Sequence, residues 1–343
     1  MTIPVPVAEP EVLTTPTNIA NVHELMEGLI DEVVKESRAE STRDQQDYHW
    51  AFFEKWCQAR GSKSLPADPD TVATFIFTQG FVGKKPNTLR GYASSIAAKH
   101  RFMKLENPCN DRVAMIIKGF VNRAKKAGQQ EKQARPLTAE DLEKIRATAR
   151  IQRKTDRGWE RFSNAQHRGR VDIALISVMR DALLRRSEAA AVLWKHIATE
   201  PDGSGRLTIP SSKTDQEGEG VVLYLGPPTM KALDLVRPKQ QPLTGDDGDD
   251  GEKKVFDLKP ATISERIAAA ALAAGLGEGY SGHSCRVGMA VDLAEAGATM
   301  PQLQAVGRWK SSQTVARYVG AQFAGRSVVA QLYSRKGQRK RKA

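Results

Sequence analysis

Cysteine is scarce in this chain. Three in 343 residues (Cys57, Cys109 and Cys285), with no CxxC pair among them, offer no disulfide framework, and a reducing compartment is expected. Long apolar runs are missing as well: no stretch reaches the roughly 18 residues of a membrane-spanning helix, so no membrane partner is expected. The opening MTIPVPVAEPEVLTTP is acidic and proline-rich. With no basic segment ahead of an apolar one, it excludes a secretory signal. Acids are the minority charge, 40 Asp and Glu against 52 Lys and Arg, for a formal net charge of +12. What is present is ordinary for a folded protein: 40% hydrophobic and 27% charged residues, enough to bury a sizeable core. The length suggests two domains. A soluble, basic, cytoplasmic protein follows, with nucleic acid as the leading partner on charge.

The charge is unevenly placed. Residues 1–47 hold 10 acids and 3 Lys or Arg, whereas residues 84–135 hold 13 basic side chains and only Glu106, Asp111 and Glu131 as acids. A second basic cluster spans 153–170, and six of the last nine residues are basic. Three separate basic segments favour a polyanion over a merely solvated surface.

Residues 1–19 read as a disordered lead and 20–128 as an all-helical domain. Apolar side chains recur at helical spacing from Leu25 to Val34. Ser41 and Thr42 offer a cap for a helix carrying Tyr48, Phe52, Phe53 and Trp56, which stops at Gly61. Asp68-Pro69, Pro86 and Asn110 open three more, with the aromatic stripes at 48–56 and 75–77 expected in the core. QQEKQARP (129–136) is the linker, and Thr138 with Asp141 caps the helix that begins a second domain at 137–334. Residues 335–343 form a basic tail.

The second half mixes short strands with helices. Residues 171–184 form an apolar helix running into Arg185, Arg186, Ser187 and Glu188. Segments 205–210 and 220–225 read as a hairpin with Lys213 near one strand end. LTGDDGDDGEKK (243–254) lacks calcium-loop spacing and reads as a solvated acidic loop. Helices follow at 258–275, 282–297, 301–306, 313–318 and 327–333. No metal site and no cofactor are expected.

The ordered set LLRRSE (183–188), Lys213, SGHSCRVG (281–288), GRW (307–309) and Tyr318 resembles the tyrosine site-specific recombinase (phage integrase) family, whose pattern is Arg, Lys, His-x-x-Arg, Trp or His, Tyr. His-x-x-Arg alone is a weak signal. The whole set in order, with Tyr318 nine residues after Trp309 and 35 after His283, is a strong one. The resemblance is specific over the second domain; over residues 20–130 it rests on helical pattern and position. It implies a mainly α fold with a small β-sheet, made of an all-helical core-binding domain and a mixed α/β catalytic domain.

The implied activity is cleavage and rejoining of double-stranded DNA through a 3′-phosphotyrosine intermediate. Tyr318 would be the nucleophile, with Tyr280 and Tyr333 as rivals. Arg185 and Arg286 would bind the phosphate; the L-R-x-x-E spacing selects Arg185 and Glu188 over Arg186. His283, one helical turn from Arg286, would be base or hydrogen-bond donor, Trp309 an indole donor and wall, Lys213 the general acid, and Glu188 a partner steadying the cations. Tentative DNA contacts are Arg43, Lys84, Lys85, Arg90, Lys99, Arg101, Lys118, Lys132 and Arg135, with base-reading side chains on helices at 41–58, 85–102 and 260–275. The family further implies inverted-repeat half-sites, four protomers on two sites, exchange through a Holliday junction, a protomer-docking segment at 325–335, and work at the nucleoid of a bacterial or phage-type host. The roughly 20 residues before the first helix favour a simple-site system. The alternatives are an integrase or chromosome-dimer resolvase needing accessory proteins, and a non-catalytic DNA-binding regulator.

Overall fold

The structure, a computed structural model, describes residues 26, 28–30, 33, 40–128, 133–156, 158–210, 220–237 and 250–324. Its chain divides into two compact units, one ending at Glu131 and the other beginning at Lys132. The fold is mainly helical with small antiparallel sheets, and none of the described helices is long and apolar enough to cross a membrane. Lys132, Lys213, Tyr333, most of the 243–254 loop, the 1–19 lead, the 325–335 segment and the basic tail lie outside the described residues.

In the first unit the described positions between 26 and 33 are helical, and Met26, Leu29, Ile30 and Val33 are exposed. Four helices follow: α1 (Glu40–Gln58), α2 (Pro69–Phe81), α3 (Pro86–Phe102) and α4 (Asp111–Lys126). Helix α1 begins ahead of Ser41 and Thr42, which therefore sit in its first turn and do not cap it. The other starts follow local chemistry. Asp68 accepts from the Asp70 N–H at 3.2 Å, and Asn110 from the Val113 N–H at 3.3 Å. The core is aromatic at its centre: the Phe75 ring meets Phe53 at 5.0 Å, Trp56 at 5.3 Å and Tyr92 at 5.4 Å, each edge-on. Tyr48 and Phe77 are the exceptions to the aromatic stripes and are exposed.

The second unit opens with a reciprocal cap. The Asp141 N–H donates to Thr138 Oγ1 at 3.3 Å and the Thr138 N–H to Asp141 Oδ2 at 3.2 Å, starting α5 (Ala139–Thr148). A two-stranded hairpin, β1 (Lys154–Thr155) and β2 (Gly158–Trp159), leads into α6 (Phe162–Asp181), the spine of the unit. This helix starts nine residues before the apolar run because Asp172, almost fully buried, anchors its polar first half. Asp172 pairs with Arg266 at 2.7 Å and Arg168 at 3.4 Å, while Arg168 also pairs with Glu160 at 2.9 Å. After α7 (Arg186–Ala191) come a 3-10 turn, β3 (Ile197–Thr199), β4 (Gly205–Ile209) and β5 (Val221–Leu225), which form one antiparallel sheet in that order. Gly205, Leu207 and Ile209 point inward and Arg206 and Thr208 outward, the alternation of a half-buried strand. The expected hairpin is thus a three-stranded sheet, β3 being too short to announce itself in sequence.

Helices α8 (Pro227–Asp234), α9 (Pro260–Ala273), α10 (Ser284–Glu295), α11 (Met300–Gly307) and α12 (Ser312–Ala324) complete the unit. A separate small core joins the last three: Ala290, Val291, Ala294, Leu303, Trp309, Val315 and Val319 bury together with Leu183, and Tyr318 packs on their edge. Another lock fixes α10. Gly288 lies so close to Leu137 that an added Cβ would sit 1.8 Å from its carbonyl oxygen. The buried Arg180 side chain bonds both that carbonyl and Asp292. The second glycine of SGHSCRVG is therefore there for backbone contact.

Candidate active site

Six of the seven expected catalytic residues are described, and they come from four places in the chain: the turn before α7, its first turn, the start of α10, and the α11–α12 segment. Arg185 is the residue before α7, with its side chain about a quarter exposed at 26%. Glu188, three residues on, is buried; its carboxylate accepts from the Arg185 backbone N–H at 2.9 Å and from Arg185 Nη1 at 2.7 Å. Arg186 is exposed beside Gly282 and does not join this pair.

His283 stands at the N-cap of α10 and is exposed, while Arg286, one turn inside the same helix, is 1% exposed. The Arg286 guanidinium lies 4.5 Å over the Trp309 ring. Two of its N–H groups donate to the carbonyls of Leu183 and Gly307. Leu183 turns its carbonyl there by adopting a left-handed backbone, φ 45°, rare for a leucine and compensated by the cations that meet it. The two arginines are thus not equivalent forks: Arg185 meets solvent and Arg286 backs it from beneath Trp309.

Tyr318, half-buried on α12, is brought to His283. Its Oη lies 2.9 Å from His283 Nε2, and the two rings meet edge-on at 5.3 Å. Trp309, 8% exposed, tilts against the Tyr318 ring at 5.9 Å. The rival Tyr280 is buried elsewhere, its hydroxyl donating to Asp141 at 3.3 Å.

The electrostatics follow from this crowding. Although the residue as a whole is exposed, its ring is covered on one side by Tyr318, and this local desolvation, together with the charges of Arg286 and Arg185, holds its pKa below the usual 6.5. The ring is then neutral at pH 7, and Nε2 can accept the Tyr318 hydroxyl proton. Burial, then Arg185 and Arg308, pushes the Arg286 guanidinium down to about 9, which leaves it charged at neutral pH. Burial pushes the Glu188 carboxyl up, but the Arg185 N–H and the Arg308 guanidinium outweigh it and hold the group below the ordinary range. Cys285, fully buried between His283 and Arg286, has its thiol pushed up by burial to about 12 and is chemically silent. No cluster of three or more His, Cys, Asp or Glu suited to a metal ion occurs among the described residues.

Arg308 lies outside the sequence pattern that points to the site. Its guanidinium grips Glu188 with both Nη atoms, at 3.1 and 2.9 Å. Its one signal in the sequence is its place inside GRW, beside the tryptophan.

The basic residues expected on DNA are scattered through exposed and half-buried settings. Lys84, Lys85, Arg90, Arg101 and Lys118 are exposed. Lys99 is half-buried with its ammonium 5.8 Å over the Trp50 ring, and Arg43 is half-buried as well. Arg135, though exposed, already serves the second unit: Nη1 donates to the Leu276 and Glu278 carbonyls at 2.8 and 3.1 Å, and the guanidinium lies 4.8 Å over Tyr280.

Comparison with known proteins points the same way. Residues 135–324 match the sequence model of the phage integrase family. The chain is 21% identical to the recombinase cre of Escherichia phage P1 over 340 residues, covering 88% of this chain and 94% of that protein. It is 25% identical to an integrase/recombinase xerD homolog of Selenomonas ruminantium, covering 83% of each. Among solved structures, the Tn1549 transposon integrase in complex with transposon right end DNA aligns over 82% of this chain and 90% of its own, with a TM-score of 0.56 at 13% identity, a likeness of fold.

Proposed function

The chain belongs to the phage integrase family and is a DNA recombinase of the tyrosine class, and on that footing we propose that it is a Cre-like, simple-site enzyme that exchanges strands through a 3′-phosphotyrosine at Tyr318. The observation that carries the phosphotyrosine assignment is the Tyr318–His283 hydrogen bond, 2.9 Å, set beside the Arg286–Trp309 stack and within the field of Arg185, while the simple-site reading leans on the similarity to cre.

The chemistry is phosphoryl transfer with no net hydrolysis. His283 takes the phenolic proton as Tyr318 Oη attacks phosphorus, the bond to the 5′ oxygen breaks, and the 3′-phosphotyrosine bond conserves its energy for the reverse attack by a new 5′ hydroxyl. Lys213 delivers the proton to the departing 5′ oxygen. Negative charge on the non-bridging oxygens meets Arg185 directly. Arg286 contributes its charge from the buried side, where the low dielectric strengthens it. Each such preorganised donor is worth about 10²–10³ in rate. The Trp309 indole N–H adds a further donor.

The partner is duplex DNA carrying inverted-repeat half-sites, gripped by basic side chains among Arg43, Lys84, Lys85, Arg90, Lys99, Arg101, Lys118, Lys132 and Arg135. Four protomers hold two sites and exchange strands in two steps through a Holliday junction, at the nucleoid. The similarity to both cre and a xerD homolog keeps an accessory-dependent integrase or resolvase as the second reading.

A random-sequence duplex library selected by the protein yields its half-site. A supercoiled plasmid with two full sites then tests the proposal. Recombination by the purified protein alone supports the simple-site reading. Recombination only after addition of host extract supports the second. Binding without any strand exchange or covalent adduct overturns both in favour of a non-catalytic regulator.

A further inference from the structure

Helix α11 ends at Gly307, and the next residue, Arg308, takes the left-handed conformation, φ 54° and ψ 45°. That position ordinarily suits glycine or asparagine. Gly307 cannot be larger, because an added Cβ would sit 1.8 Å from the Trp309 ring. The backbone thus folds tightly under the tryptophan, and an arginine occupies the strained residue next to it.

Its side chain is 10% exposed. Nη1 reaches Glu188 Oε1 at 3.1 Å, and Nη2 reaches Oε2 at 2.9 Å and the Leu183 carbonyl at 3.3 Å. Each Glu188 oxygen is shared. Oε1 also takes Arg185 Nη1 at 2.7 Å, and Oε2 the Arg185 backbone N–H at 2.9 Å. One buried carboxylate therefore joins two guanidinium groups, and the carbonyl of Leu183 joins Arg308 to Arg286. The charged groups interacting with Glu188 are Arg185 and Arg308 directly and Arg286 through space.

We propose that Arg308 is a positioning residue for strand cleavage: it clamps the Glu188 carboxylate, and through it fixes the guanidinium of Arg185 against the scissile phosphate. The proposal rests on the recombinase reading above. The Arg308 guanidinium faces Glu188 and Leu183, so its action passes through the carboxylate. A buried carboxylate is held ionised by the donors and cations that meet its oxygens. With Arg308 gone, Glu188 keeps Arg185 as its direct partner and Arg286 through space, and takes up a proton at a higher pH. The hold on Arg185 then loosens just as a geometric tolerance of about 1 Å decides the rate.

The test is single-turnover covalent adduct formation on a nicked suicide substrate built from the selected half-site, between pH 5 and 8. Arg308→Gly is the first variant, because glycine adopts the left-handed backbone freely and leaves the turn intact. It is expected to bind the half-site like wild type, to form adduct more slowly by on the order of 10²-fold, and to gain a second acid limb beyond the one that His283 gives the wild type. Arg308→Lys restores part of the rate. In the double variant Arg308→Gly with Glu188→Gln the second limb is absent, and the rate is no lower than that of the slower single variant. Wild-type rate and profile in Arg308→Gly would overturn the proposal, as would multiplicative losses in the double variant. A wild type that forms no adduct at all sinks the recombinase reading, and this proposal with it.

Discussion

Tyr318 Oη and His283 Nε2 lie 2.9 Å apart although 35 residues separate them in the chain. Neither helix makes that contact alone. It exists because α10, α11 and α12 bury one small core that includes Trp309.

The pairing predicts a pH dependence. Packing, Arg286 and Arg185 depress the His283 pKa below 6.5, so the neutral, proton-accepting ring persists throughout the neutral range. Cleavage should therefore be level from pH 8 down to about 6.5 and fall only as acid protonates the ring below that value. A single-turnover pH–rate profile reads this directly. His283→Gln should lose the limb and on the order of 10²–10⁴ in rate.

Trp309 links the site to stability. Trp309→Ala empties a buried position between Arg286 and Tyr318 and is expected to cost about 3–5 kcal/mol. Gly307→Ala drives a methyl into the indole and should cost about 1–3 kcal/mol. Urea unfolding measures both, and Trp309→Phe should fall well short of either loss.

Buried and exposed ion pairs should differ sharply. Asp172 is 1% exposed and meets Arg266, Arg168 and Arg153. Asp172→Ala takes the buried carboxylate from all three cations, leaving Glu160 to Arg168, and is expected to destabilise by about 3–5 kcal/mol. Arg112→Ala breaks a pair with Asp70 that is mostly solvated and should cost about 0–1 kcal/mol. Denaturant midpoints of the two variants supply the comparison.

The basic stretch that opens α3 predicts a salt effect. Lys84 and Lys85 are exposed. If each neutralises one phosphate, replacing both with alanine flattens the slope of log K against log salt by about 2. Half-site binding measured between 50 and 200 mM salt checks it, and an unchanged slope would place these lysines in solvent.

Local chemistry was readable in the sequence where it is self-contained. Thr138 with Asp141, Asp68 and Asn110 each cap a helix through atoms two or three residues away, and the structure has these bonds. The family pattern was readable because its spacing is tied to helices that must pack together. Long-range compensation was not. The left-handed Leu183 and Arg308 contradict local preference and are held by guanidinium contacts reaching across the chain. The early start of α6 depends on Arg168 finding Glu160 and Asp172. Nothing in RSE or GRW says that Glu188 and Arg308, 120 residues apart, share a bond.

In the function proposed above, Tyr318 breaks DNA by bonding to it. The direct measurement is denaturing-gel analysis of protein incubated with the nicked suicide substrate, with and without EDTA. Wild type is expected to form a covalent protein–DNA adduct, unchanged by EDTA, and Tyr318→Phe to form none. An adduct that persists in Tyr318→Phe, or its absence from a wild type that binds the substrate, would contradict it.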